Sequence, residues 1–107
     1  MKIKKMRKKV NTVDVFGETF KIKLREENDE DCLGDCDSDG RIITINPELK
    51  GEILIRTLAH EFTHAALDTG GICELLGADQ QEAVCRVNEH LVMVFLQFFK
   101  DIVDLEV

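Results

Sequence analysis

Residues 52–71 read EILIRTLAHEFTHAALDTGG. Ile53, Leu54, Leu58, Phe62, Ala65 and Ala66 recur three or four positions apart, the period of a helix with one apolar face. The helix should stop at Asp68-Thr69-Gly70-Gly71, where two Gly supply a C-terminal signal. Upstream, Asn46-Pro47 holds the chain's single Pro and marks a helix or turn start. Arg41 to Ile45 (RIITI) is a compact strand. Val13 and Val15, then Phe20, Ile22 and Leu24 across Gly17, alternate with polar residues and read as a hairpin. Between these strands, residues 25–40 carry eight acids and one Arg, a solvated loop or the wide end of a second hairpin.

Downstream, residues 71–78 connect to a second helix. Asp79 is placed as its N-cap, with Glu82 three residues on as in a capping box. Val84, Val87, Leu91, Val94/Phe95 and Phe98 then repeat at helical spacing to about residue 100. Strands followed by two helices predict an α+β domain: an N-terminal antiparallel hairpin or sheet of about three strands packed on the first long helix. The organisation expected is a basic segment 1–9 followed by one domain over residues 10–107.

Composition narrows the function. A chain of 107 residues forms one domain and buries roughly two-thirds of the surface its unfolded form exposes. The net charge is −7, and a 44% hydrophobic share argues against a disordered chain. No apolar run reaches the ~18 residues of a membrane span. An acidic chain with no Trp and no Tyr is a poor nucleic-acid binder. Residues 1–9 hold six of the 14 basic side chains and no acid; a solvated tail or strand is favoured over a phosphate-contacting arm. No apolar segment follows them, so no secretory signal is read. The expected compartment is the cytoplasm, with Cys32, Cys36, Cys73 and Cys85 reduced. Their spacing does not match paired C-x2-C zinc ribbons, and Cys73 and Cys85 read as small buried hydrophobes.

The chemistry lies in His60-Glu61-Phe62-Thr63-His64, an H-E-x-x-H on a helix. Residues four apart differ by about 40° in azimuth and about 6 Å in height, so two imidazoles converge on one ion. Zn²⁺ takes neutral imidazole nitrogen in a tetrahedral site. Glu61, one position round the helix, flanks the ion without ligating it, the general-base position of a zinc hydrolase. The segments on either side of the motif are uncharged, as a helix under a sheet requires.

A catalytic zinc takes a third protein ligand. The longer H-E-x-x-H-x-x-G-x-x-H pattern fails, because Leu67 stands at its Gly and Gly70 at its last His. Asp68, Glu74, Asp79, Glu82, Glu89 and His90 remain. Glu82 fits best, at the start of the next helix and beside the small Ala83; its competing role is the capping box. Glu74 and His90 are the alternatives. His90 lies roughly 12 Å further along the helix than Glu82, so both cannot hold one ion.

His60 to Leu67, followed by Gln81-Glu82-Ala83-Val84, resembles the small zincin-type metallopeptidases of phages and prophages, related to the ImmA/IrrE and SprT-like groups. Gly34 to Asp37 and Arg41 to Asn46 resemble the strand those proteins place before the active helix. The resemblance implies a minimal-zincin-like domain and a zinc-dependent peptidase acting on a protein or peptide. It implies His60, His64 and a Glu as ligands, with Glu61 as base. SprT-like members use a third His, which this chain lacks at a suitable distance; the H-E-x-x-H…E arrangement favours the ImmA/IrrE side.

Zero Tyr excludes a Tyr as transition-state donor; His90, Arg86 or a backbone N–H are the candidates. An extended substrate is expected along the edge of the Arg41–Ile45 strand. The alternative function is a non-catalytic, zinc-stabilised protein-interaction domain, and a third is a DNA-associated protease that uses the basic segment as its arm. Asp35, Asp37, Asp39 and Gly40 match half of a Ca²⁺ loop, but Asn46 stands where the bidentate carboxylate belongs. An acidic β-turn is the favoured reading there.

Overall fold

A computed structural model describes residues 10–26 and 32–102. Strands β1 (Val10–Val15), β2 (Glu18–Leu24), β3 (Gly34–Asp37) and β4 (Ile42–Ile45) precede helices α1 (Gly51–Thr69) and α2 (Ala78–Ile102). A single 3₁₀ turn, Cys73–Leu75, lies between the helices. The basic segment 1–9 lies outside the described residues.

The α+β class holds, with a difference in the sheet. Four strands form it in the order β1-β2-β4-β3, against about three antiparallel strands expected. The pairs β1–β2 and β3–β4 are antiparallel, while β2–β4 is parallel. β4 is therefore central, paired on both sides, and β3 is an edge strand. The first hairpin turns on Phe16 (φ 49) and Gly17 (φ 84), the two positive φ angles that a tight two-residue turn demands.

Alternation along β2 puts Phe20 and Ile22 on the face that α1 covers, between exposed Thr19, Lys21 and Lys23. Ile43 and Ile45 of β4 join them, and Leu54 and Ala65 of α1 close the core. The Gly-Asp-Cys-Asp sequence of β3 has no β-branched residue, which is why it reads as a loop. It is a strand because Gly34 to Asp37 pair with Ile45 to Ile42. Gly34 also permits close approach to α1: a Cβ there would lie 2.9 Å from Thr57 Cγ2 and 3.1 Å from the Thr44 carbonyl.

Asn46-Pro47 opens a turn rather than the helix itself. Asn46 Oδ1 accepts the Glu48 N–H at 2.9 Å, and α1 begins after Lys50, which makes no side-chain cap. The end of α1 is as expected. Gly71 takes φ 73, its N–H donates to the Asp68 carbonyl, and the Ile72 N–H donates to the Leu67 carbonyl, a Schellman stop.

At the start of α2 Asp79 is inside the first turn, not at the cap. Gln80 reaches back, its Oε1 accepting the Gly77 N–H at 2.8 Å, so the capping role falls to Gln80 and Glu82 is free. The larger difference concerns which way α2 faces. Val84, Val87, Leu91, Val94, Phe95 and Phe98, the apolar repeat that marks this helix in the sequence, are exposed. The fully buried residue of this helix is Cys85, and Ala83, expected at the helix contact, is exposed. Among the described residues no helix is long and apolar enough to cross a membrane.

Truncating Ile43 to Ala should cost about 2–5 kcal/mol of unfolding free energy, as expected for deletion of a buried aliphatic group. A urea titration with unchanged slope measures this. Gly34→Ala should cost about 1–3 kcal/mol by overpacking against α1; a fully stable variant would mean that β3 does not press on the helix.

Candidate metal centre

His60 and His64 project from one face of α1 with ring centroids 5.1 Å apart. Glu82 of α2 bridges them: Oε1 lies 2.7 Å from His64 Nε2 and Oε2 lies 3.1 Å from His60 Nε2. Glu89, seven residues on, sets its Oε2 at 2.9 Å from His60 Nδ1. Between them in sequence, Cys85 brings its Sγ within 4.8 Å of one nitrogen of each imidazole, and the three side chains form a group able to hold a metal ion. Glu82, Cys85 and Glu89 are spaced by three and four, so α2 presents all three on one face. A second link fixes the helices: Asn88 Nδ2 donates to Thr63 Oγ1 at 2.8 Å, and Thr63 donates to the Ala59 carbonyl at 2.6 Å.

The donor set suits a cation. With Glu89 accepting from His60 Nδ1–H, the Nε2 of a neutral ring presents a lone pair. That lone pair faces the Glu82 carboxylate, an acceptor opposite an acceptor. A cation between them turns the repulsion into coordination. Glu89 stands where an outer carboxylate would orient a ligating His.

Glu61 is 6% exposed and its Oε2 is buried without a hydrogen-bond partner. Burial pushes its carboxyl above the usual range, the nearby imidazoles oppose this, and Asp35 and Glu82 add to it. Burial, followed by the charges of Glu82, Glu61 and Glu89, pushes the Cys85 thiol up to about 12. Burial also raises Cys36 to about 11, against a lowering hydrogen bond from Ser38.

Two clefts meet at the site and share Gly34, His60 and Glu61. One, of about 660 Å³, is polar and includes Asp35, Ser38, Asp68 and Glu82. The other, of about 350 Å³, includes Leu33, Ile53, Arg56 and Glu89. The joint groove follows β3.

The structure thus brings together His60, Glu61, His64 and Glu82. It does not bring His90, which is exposed and lines neither cleft; Arg86 is likewise exposed. Glu74 and Asp79 are also exposed. Asp68 accepts a hydrogen bond from Cys73 Sγ at 3.4 Å. Sequence reasoning missed Cys85 as a donor and the orienting role of Glu89. The spacing Glu82-x2-Cys85-x3-Glu89, a helical face of donors opposite the apolar stripe, is the signal that could have found them. The acidic turn is a hairpin: Asp37 Oδ1 accepts the Gly40 N–H at 3.1 Å and Asp35 pairs with Arg25 at 3.3 Å.

Comparison of the chain with models of known families, with curated proteins and with solved structures finds no match.

Replacing Glu89 by Ala should weaken metal binding about 10- to 100-fold, the usual cost of losing such an outer partner. Competition against a chromophoric chelator measures it; unchanged affinity would show that Glu89 does not orient His60. If the group holds a divalent ion, the wild-type protein at a free ion concentration 100 times the Kd should gain about 2.7 kcal/mol of stability. His64→Ala should abolish that gain in a melting experiment.

Proposed function

We propose that the protein is a zinc-dependent metallopeptidase that hydrolyses a peptide bond in a protein or peptide substrate. The observation that carries this is Glu61: a buried carboxylate oxygen without a partner, one residue from an imidazole pair, at the junction of two clefts. A purely structural metal site has no use for a base at that position. The H-E-x-x-H…E arrangement supports kinship with the zincin-type peptidases it resembles.

In this reading His60, His64 and Glu82 hold Zn²⁺. The ion, when bound, supplies Lewis acidity that acidifies water towards a pKa of ~7 and polarises the scissile carbonyl. Glu61 takes the proton of the attacking water and delivers it to the leaving amine; its desolvated carboxyl, held above the usual range, suits both directions of transfer. Glu89 keeps His60 in the tautomer that turns Nε2 towards Glu82. Arg56 lines the cleft beside His60 and Glu61 and takes the place of His90 as the side-chain candidate for stabilising developing negative charge.

The substrate strand needs a different edge from the one expected. β4 is paired on both sides, so it has no free edge. β3 is an edge strand, and both clefts run past it. An extended peptide adding to β3 would cross the site at Gly34. Four free thiols suit a reducing compartment such as the cytoplasm.

The second reading, a non-catalytic zinc-stabilised interaction domain, is favoured by one observation. The stripe from Val84 to Phe98 on α2 is exposed, and large exposed apolar patches mark protein association.

Glu61→Gln should keep its zinc and lose about 10²- to 10⁴-fold in hydrolysis, the usual contribution of a general base. Metal analysis together with mass-spectrometric readout of a peptide mixture checks both. Zinc-loaded wild type that cleaves nothing in the mixture, or a variant that cleaves as well as wild type, counts against the peptidase and for the interaction domain.

A further inference from the structure

We propose that Cys85 is a fourth protein donor to the ion held by His60, His64 and Glu82, so that the resting site is closed by side chains and opens to water only when this sulfur moves away. The proposal rests on the metal-centre reading above.

Four observations carry it. First, Cys85 is fully buried, yet its Sγ lies within 4.8 Å of a nitrogen of each imidazole. A cysteine that merely fills space is surrounded by apolar side chains; this one points at ligand atoms. Second, Glu82, Cys85 and Glu89 occupy one face of α2, and that face is turned inward at the expense of the helix's apolar stripe, which stays exposed. Third, sulfur, imidazole nitrogen and carboxylate oxygen are the donors that zinc accepts, with nitrogen and sulfur roughly 3.5 Å apart in a tetrahedron built from ordinary bond lengths. In the structure the atoms lie within 4.8 Å of one another, so coordination would draw Sγ inward. Fourth, the buried, unpartnered Oε2 of Glu61 independently marks a polar occupant of this pocket.

The consequence is regulatory. Zinc sites with four protein donors are structural and those with three keep a position for water. This chain has both sets, distinguished by one sulfur. Cys36 and Cys73 line the polar cleft, but neither belongs to the donor group.

Cobalt(II) substitution of the full chain tests the proposal. Wild type binding one equivalent of Co²⁺ should show thiolate-to-cobalt charge transfer in the near ultraviolet. The band should survive in a Cys32→Ser, Cys36→Ser, Cys73→Ser triple variant, which leaves Cys85 as the sole thiol and does not disturb it. It should vanish in Cys85→Ser while Co²⁺ stays bound. Added azide should then shift the visible spectrum of Cys85→Ser and leave that of wild type unchanged. Co²⁺ bound to wild type without the band, the band lost in the triple variant, or equal azide shifts in both proteins would overturn the closed site while leaving the His60–His64–Glu82 centre standing. Wild type that binds no Co²⁺ would overturn the metal centre and this proposal together.

Discussion

Glu82 of α2 bridges both imidazoles of α1, its two oxygens lying 2.7 and 3.1 Å from them. The rest of the site follows from that bridge. To deliver Glu82, helix α2 must also turn Cys85 and Glu89 inward, because the three share a face. Glu89 then closes on the far nitrogen of His60. Glu61, Glu82 and Glu89 gather around the two imidazoles; Glu61 is buried, while Glu82 and Glu89 stay partly exposed. The same rotation leaves Val84, Val87, Leu91 and Val94 exposed. Each Å² of that apolar surface would contribute about 25 cal/mol if it were covered.

The sheet contributes through its edge. β3 is short and acidic, and it lies against α1 because Gly34 has no side chain to hold it off. Its pairing with β4 leaves its other side at the margin of the sheet, along the groove where His60 and Glu61 sit. Asp35 and Asp37 are occupied in shaping this strand and its turn, one with Arg25 and one with the Gly40 N–H. These two acids thus shape the strand and turn that border the groove. Two helices and one edge strand supply the residues of this site.

Periodicity made much of this legible beforehand. The spacing of His60 and His64, the apolar rhythm of α1, its stop at Gly70-Gly71 and the alternation of β2 are local properties, set by 3.6 residues per turn or two per pleat. The α+β class follows from the order of such segments. Glu82 was recoverable as a carboxylate at the head of the next helix. Cys85 was legible only through its spacing from Glu82 and Glu89, because taken alone a Cys in a helix has the same sequence signature whether its sulfur meets methyl groups or imidazoles. β3 was hidden for a related reason: nothing in Gly-Asp-Cys-Asp prefers a strand, and β4 imposes one.

What the sequence determined by itself is therefore the helix bearing His60, Glu61 and His64, and the existence of a second amphipathic helix carrying acids. What only the tertiary structure decided is which face of α2 turns inward, that β4 is central and β3 the edge, and that Cys85 and Glu89 join the site while His90 does not. The reason is physical. A periodic pattern states which residues share a face, but the face that is covered depends on contacts between residues far apart in the chain, and here the covered face is the one that carries Glu82, Cys85 and Glu89.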